Sequence, residues 1–129
     1  MTTRPLHVLV ADPDEENLVR LSKWLRLMGF RGISTATDGF QALHLLKKND
    51  FDLLLLAPEM PKLSGVDLLR HLRRIPRYKG PRVIMMTEEA DRTLIEKTAE
   101  LGVADFLLKP FSDETLKMRA EKVLGHYLS

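Results

Sequence analysis

The stretch FDLLLLAPEMPKLSG, residues 51–65, decides the fold of this chain. It holds four consecutive leucines, Leu53 to Leu56, and the prolines Pro58 and Pro61 close the apolar run. A short continuous apolar run predicts a strand, here over residues 51–57, that is buried on both faces, as in a parallel sheet covered by helices. In open parallel sheets, ligands bind beyond the carboxyl ends of the strands. The residue at that position is Ala57, whose methyl group has no reactive chemistry.

Strands and helices alternate through the rest of the chain. Apolar runs predict further strands at residues 6–11, 32–36, 82–87 and 105–108. Apolar residues at helical spacing predict helices at about 14–28, 38–48, 65–75, 91–101 and 112–127. This alternation predicts a single doubly wound α/β domain over residues 1–129, in which helices cover both faces of a parallel sheet.

The sequence also predicts how these helices begin, end and face the core. Asp14 and Ser112 are suited to cap helix N-termini, and Gly29 and Gly102 are suited to end helices. The residues expected to face the core are Leu18, Leu21, Leu25 and Met28 on the first helix, Leu94, Ile95 and Thr98 on the fourth, and Leu116, Ala120, Val123 and Tyr127 on the fifth.

Composition excludes several classes of protein. The chain has 129 residues and no cysteine, which rules out disulfides and thiolate metal sites. Its apolar runs are too short for a membrane span, and its N-terminus lacks a secretory signal, so we expect a cytoplasmic protein that does not enter membranes. A net charge of +2 is too balanced to predict nucleic-acid binding.

One segment departs from this charge balance. Residues 68–87 contain no acid, and their six basic residues are Arg70, Arg73, Arg74, Arg77, Lys79 and Arg82. We favour the interpretation of a solvated helix end, where cations lie near unpaired carbonyl groups. A docking patch for an acidic partner or a phosphate backbone is the alternative.

Several motifs occur in an order that resembles the receiver domain of two-component response regulators. They are HVLVADPDEEN (7–17), FDLLLLAPEMPKLSG (51–65), VIMMT (83–87) and ADFLLKPF (104–111). The resemblance covers essentially the whole chain. It implies a flavodoxin-like fold with strand order 2-1-3-4-5 and a cis peptide bond between Lys109 and Pro110.

The resemblance also implies a site, and the chain departs from the family there. In the family, an aspartate after the third strand accepts a phosphoryl group from a histidine kinase, and acids after the first strand help hold Mg²⁺. The corresponding pocket residues here are Asp12, Pro13, Ala57, Thr87 and Lys109, with Phe106 as the switch aromatic. Ala57 stands at the phosphoacceptor position and Pro13 at the second acid.

These two departures predict a pseudo-receiver. An alanine methyl group cannot form an acyl phosphate, and Asp12 alone is a poor ligand set for Mg²⁺. We therefore expect no catalytic residue, no enzyme activity, no cofactor, and weak or absent Mg²⁺ binding. Asp12 and Lys109 sum to zero formal charge, so Lys109 is expected to pair with Asp12 or with Glu59.

The predicted function is that of a phosphorylation-independent protein-interaction module in two-component or phosphorelay signalling. The resemblance implies that the fourth helix, fifth strand and fifth helix face an unidentified signalling partner or a second copy of the chain. The charged residues expected on that face are Arg92, Glu96, Lys97, Lys117, Arg119 and Lys122.

Two alternatives stay open. The chain is an active phosphoacceptor that uses Asp12 or Asp14, or it is a small-ligand or anion sensor that uses the emptied pocket.

Overall fold

A computed structural model of the protein describes residues 5–125 and 127–128. Five strands and five helices alternate along these residues. The strands are β1 (His7–Ala11), β2 (Gly32–Ala36), β3 (Leu53–Leu56), β4 (Arg82–Thr87) and β5 (Val103–Leu108). The helices are α1 (Glu15–Leu27), α2 (Gly39–Lys48), α3 (Gly65–Arg73), α4 (Arg92–Ala99) and α5 (Asp113–Leu124).

The strands form one parallel sheet in the order β2-β1-β3-β4-β5, which confirms the predicted fold. All four residues of β3 are buried, as the leucine run predicts, because β3 lies in the middle of the sheet. Alternation along β3 divides its leucines between two layers. Leu53 and Leu55 belong to the cluster with α1 and α5, and Leu54 and Leu56 belong to the cluster with α2 and α3.

The predicted caps at Asp14 and Ser112 and the predicted glycine stops at Gly29 and Gly102 are confirmed. The Asp14 side chain accepts hydrogen bonds from the first turn of α1, and Ser112 does the same for α5. Gly29 and Gly102 have positive φ values of 97° and 86°, a conformation that glycine adopts at little cost. The peptide bond between Lys109 and Pro110 is cis.

Two of the predicted core positions are wrong. Ile95 is 42% exposed, since α4 turns only Thr98 fully inward and leaves Leu94 half-buried. Tyr127 is 93% exposed, because α5 ends at Leu124 and Gly125 adopts a left-handed conformation before the tyrosine is reached. The other predicted core residues of α1 and α5 are buried or half-buried.

The helices of the described part of the chain are too short or too polar for any of them to cross a membrane.

Candidate functional site

The parallel sheet brings the predicted pocket residues to one edge. The Ala57 N–H donates to the Ala11 carbonyl at 2.9 Å, which places Ala57 beside Asp12. The Lys109 N–H donates to the Thr87 carbonyl at 2.9 Å, so these two residues are adjacent across β4 and β5. Pro13 follows Asp12 and is exposed. The predicted residues therefore share the carboxyl edge of the sheet, where sites of such folds form.

Asp12 is the centre of this site and is fully buried. Its Oδ1 accepts a hydrogen bond from the Asp14 N–H at 2.9 Å. Its Oδ2 accepts from the Asn17 Nδ2 at 2.9 Å and from the Lys109 Nζ at 2.6 Å. A buried carboxylate is tolerated only when it is paired and hydrogen-bonded, and Asp12 meets both conditions.

Lys109 takes Asp12 as its partner rather than Glu59. The Asp12 side chain is 1% exposed and that of Lys109 is 24% exposed, so the pair is mostly shielded from water. Glu59 is exposed and forms no ion pair within the described residues. The opposite formal charges of Asp12 and Lys109 cancel, so the centre of the site is neutral.

Ala57 contributes only its backbone and a methyl group to the site, and it is 4% exposed. The loop behind it is tightly packed. The Gly65 N–H donates to the Pro58 carbonyl at 2.8 Å, and a Cβ atom at Gly65 would collide with the Ala57 carbonyl oxygen. Glycine at position 65 therefore has a steric reason, and Ser64 before it caps α3 by accepting from the Asp67 N–H.

Thr87 binds its own loop. Its Oγ1 donates to the Glu89 carbonyl at 3.0 Å and accepts from the Glu89 N–H at 3.3 Å. This is the structural role that threonine often has at a strand end.

Phe106 is half-buried and packs against the core cluster shared by α2 and α3.

The residues present do not fit a magnesium ion. Mg²⁺ requires near-octahedral oxygen ligands. Both Asp12 oxygens already accept hydrogen bonds, and neither Pro13 nor Ala57 has a side-chain oxygen. A group of three or more His, Cys, Asp or Glu side chains that could hold a metal ion does not occur in the parts of the chain that the structure describes.

Sequence reasoning missed Asn17, the residue that links the site to α1. Asn17 is buried, donates to Asp12, and accepts from the Arg20 Nη2 at 3.1 Å. An asparagine on the inner side of an otherwise apolar helix face is the signal that could have revealed it, because a buried amide needs polar partners. Arg20 carries this chain of contacts to the surface.

Charged residues on the α4–β5–α5 face, formed by α4, β5 and α5, take part in two ion pairs. Arg92 and Glu96 form an exposed pair at 3.0 Å. Arg119 donates to both carboxylate oxygens of Asp105 at 3.0 Å, which fixes it against β5. Lys97 and Lys122 are exposed and Lys117 is half-buried.

Two apolar side chains also lie on this face, although apolar periodicity predicts a core position for one of them, Ile95. Leu108 is 57% exposed and Ile95 is 42% exposed. Alternation along β5 puts Leu108 on the same side of the sheet as Phe106.

Two of the six basic residues in the segment 68–87 bind other groups of the fold. Arg70 pairs with Asp67 at 2.9 Å, and the Arg73 Nε donates to the Leu101 carbonyl at 2.7 Å. The remaining four cations, Arg74, Arg77, Lys79 and Arg82, are exposed. Arg70 and Arg73 lie in the last turn of α3, as the favoured interpretation predicts.

Comparison with known proteins identifies the family to which the chain belongs. A family model described as the response regulator receiver domain matches residues 8–121. The chain belongs to this family. The receiver is 38% identical over 119 residues to the chemotaxis protein CheY-3 of Vibrio cholerae, a match that covers 92% of this chain and 91% of that protein. It is 42% identical to the transcriptional regulatory protein CpxR of Escherichia coli over 91% of this chain and 48% of that protein.

Solved structures agree with the fold of the receiver. The chemotaxis protein CheY4 of Vibrio cholerae superimposes with a TM-score of 0.85 at 28% identity, covering 93% of this chain and 99% of that one. A response regulator from Chloroflexus aurantiacus superimposes with a TM-score of 0.84 at 28% identity, covering 95% of this chain and 100% of that one. The receiver is therefore a CheY-like domain of two-component signalling.

Proposed function

We propose that this receiver is a pseudo-receiver, which acts in two-component or phosphorelay signalling without being phosphorylated. One observation carries the proposal. At the phosphoacceptor position lies the buried methyl group of Ala57, and beside it Lys109 is already neutralised by Asp12 at 2.6 Å. Phosphoryl transfer to a side chain needs a nucleophile, and an alanine offers none. On this account the domain is not an enzyme.

The charge of the site supports the same proposal. A receiver pocket with three carboxylates and one lysine has a formal charge of −2, which a divalent cation neutralises. Here Asp12 and Lys109 sum to zero, and Pro13 adds no charge. A neutral site has no electrostatic need for Mg²⁺.

The alternative phosphoacceptors are less well suited. Asp12 is fully buried, and both of its carboxylate oxygens already accept hydrogen bonds. Asp14 is exposed, but its Oδ1 caps α1 by accepting from the Glu16 and Asn17 N–H groups. Phosphorylating Asp12 would break contacts that stabilise the fold, and phosphorylating Asp14 would alter the carboxylate that caps α1.

The function proposed for the fold is protein interaction through the α4–β5–α5 face. Its exposed Leu108 and Ile95 offer apolar contact area, and the pairs Arg92–Glu96 and Arg119–Asp105 offer a polar surround. Apolar centres with polar rims are typical of protein interfaces. The partner is a signalling protein or a second copy of this chain. The cytoplasmic location and the lack of nucleic-acid binding stay predictions.

Amide NMR spectra test whether the conformation is independent of phosphorylation. Acetyl phosphate and Mg²⁺ are added to the wild type and to the double variant Pro13→Asp/Ala57→Asp, which restores the missing acids. We expect unchanged amide resonances for Thr87, Phe106 and Lys109 in the wild type and shifted ones in the double variant. Shifts of these resonances in the wild type would contradict the proposal.

A further inference from the structure

A cleft beside α1 forms a second candidate site, distinct from the position of Ala57. It lies between α1 and the loops that follow β4 and β5, and its volume is about 480 Å³. Small-molecule sites commonly have volumes of about 300–1,000 Å³. The cleft therefore has the size of a site for a small molecule, and its lining residues indicate what chemistry would fit.

One wall of the cleft is aromatic. Trp24 of α1 and Phe111 after β5 line it, with ring centroids 6.4 Å apart and ring planes at 61°. This edge-to-face arrangement is a favourable one for aromatic pairs. Both rings are half-buried and pack against the core, which holds the wall in place. The wall offers a fixed apolar surface to a flat group.

The rest of the lining is Asn17, Pro110 and four charged residues, Asp14, Arg20, Glu88 and Lys109, whose formal charges sum to zero. Lys109 and Asp14 reach the cleft, but Lys109 is paired with Asp12 and Asp14 caps α1. Arg20 is exposed, and within the described residues its polar partner is the neutral Asn17 at 3.1 Å. Glu88 has no ion pair among these residues. The cleft thus presents one cation without an ionic partner, Arg20, and two carboxylates, Glu88 and the exposed Asp14, whose Oδ1 is held by the α1 cap. A ligand with charge of a single sign would be attracted by one kind of charge and repelled by the other.

We propose that this cleft binds a small zwitterion with a flat apolar group, the chemistry of an aromatic α-amino acid. The ligand carboxylate binds the Arg20 guanidinium, whose planar donors suit a carboxylate. The ligand ammonium group binds the Glu88 carboxylate, and its ring packs on Trp24 and Phe111. This inference goes beyond the proposed function and does not depend on it.

A ligand in the cleft would also be linked to the Asp12–Lys109 ion pair through a chain of hydrogen bonds. Arg20 donates to Asn17, Asn17 donates to Asp12, and Asp12 accepts from Lys109. A ligand that draws the guanidinium away from Asn17 therefore acts on the side chain that helps hold Asp12.

Fluorescence tests the proposal directly, because Trp24 is the one tryptophan in the sequence and it lines the cleft. L-phenylalanine, 3-phenylpropanoate and phenethylamine are titrated separately against the protein. They share the ring and differ in having both charges, only the carboxylate or only the ammonium group. We expect L-phenylalanine to change the emission saturably and to bind at least about tenfold more tightly than either single-charge probe. Binding of 3-phenylpropanoate or phenethylamine as tight as that of L-phenylalanine, or no saturable change with L-phenylalanine at about 10 mM, would overturn the proposal.

Variants of the two charged residues complete the experiment. Arg20→Gln should weaken binding of L-phenylalanine at least about tenfold, to the affinity of phenethylamine, which lacks the carboxylate. Glu88→Gln should also weaken binding of L-phenylalanine at least about tenfold, to the affinity of the probe that lacks the ammonium group. Arg92→Gln is the matched control, since Arg92 is an exposed cation on α4 that does not line the cleft. Circular dichroism verifies that all three variants fold. Wild-type affinity in both Arg20→Gln and Glu88→Gln would refute the assignment.

Discussion

Replacing Lys109 with methionine should destabilise the protein by about 3 kcal/mol, because the change leaves a buried carboxylate without its cation. The Asp12 side chain is 1% exposed, and the Lys109 Nζ lies 2.6 Å from its Oδ2. Removing one partner of a buried pair costs about 3–5 kcal/mol. The lower end applies here, since the Asp14 N–H and the Asn17 Nδ2 still donate to Asp12 and the lysine side chain is 24% exposed.

Urea unfolding measures this loss, with Trp24 emission and far-UV circular dichroism as two independent signals. The midpoint should fall while the m-value stays unchanged, because the substitution does not alter the surface exposed on unfolding. For a domain of this size the melting temperature should drop by roughly 10 °C. Lys122→Met is the control, since Lys122 is exposed and its replacement should cost less than about 0.5 kcal/mol.

The double variant Asp12→Asn/Lys109→Met separates the lost charge from lost packing. Removing both charges should recover at least about 1 kcal/mol of the loss, since no charge is then left buried and unpaired, and full recovery is not expected because the amide at position 12 cannot accept from both the Asp14 N–H and the Asn17 Nδ2. A Lys109→Met loss below about 1 kcal/mol would show that the Asp12 carboxylate does not depend on Lys109 for charge compensation. So would a double variant as unstable as the single one.

Three further predictions concern other parts of the fold. Gly65→Ala should destabilise by about 1–3 kcal/mol in urea unfolding because its Cβ would strike backbone, whereas Gly125→Ala, with open space around its Cβ, should cost about 1 kcal/mol or less. Burial raises the pKa of Tyr78 above 10.0 in the folded protein. The unfolded chain therefore loses the Tyr78 proton at a lower pH, and stability should fall as the pH rises from about 10 through the raised pKa. Tyr78→Phe should reduce this fall in stability, and a variant whose stability falls as steeply as that of the wild type would contradict the assignment to Tyr78. Leu108→Asp should reduce any self-association seen by analytical ultracentrifugation without changing the melting temperature by more than about 2 °C, since Leu108 is 57% exposed.

The fold could be predicted because its signals are local. The leucine run of β3, the Asp14 and Ser112 caps and the positive-φ glycines each act within a few residues of the chain. Tyr127 was misplaced for the same reason: apolar periodicity continues past Leu124, but Gly125 ends the helix first. The spacing of apolar residues does not show where a single residue adopts a left-handed conformation and ends the helix.

The site could be predicted only in part. The order of the strands fixes which residues meet at the carboxyl edge, and that order places Asp12 near Lys109. The choice of Asp12 over Glu59 depends on side-chain reach, which the sequence leaves open. Asn17, Arg20 and the aromatic wall escaped prediction because they are assembled from α1 and the loops after β4 and β5, whose relative positions appear only in three dimensions.

Intact-mass spectrometry after incubation with acetyl phosphate and Mg²⁺ determines whether this receiver has lost phosphorylation. We expect an unchanged mass for the wild type, and a base-labile phosphoryl adduct for the variant Pro13→Asp/Ala57→Asp, which would show that the reagent and the fold are competent. A base-labile phosphoryl adduct on the wild-type chain would mean that the domain still accepts a phosphoryl group and is not a pseudo-receiver.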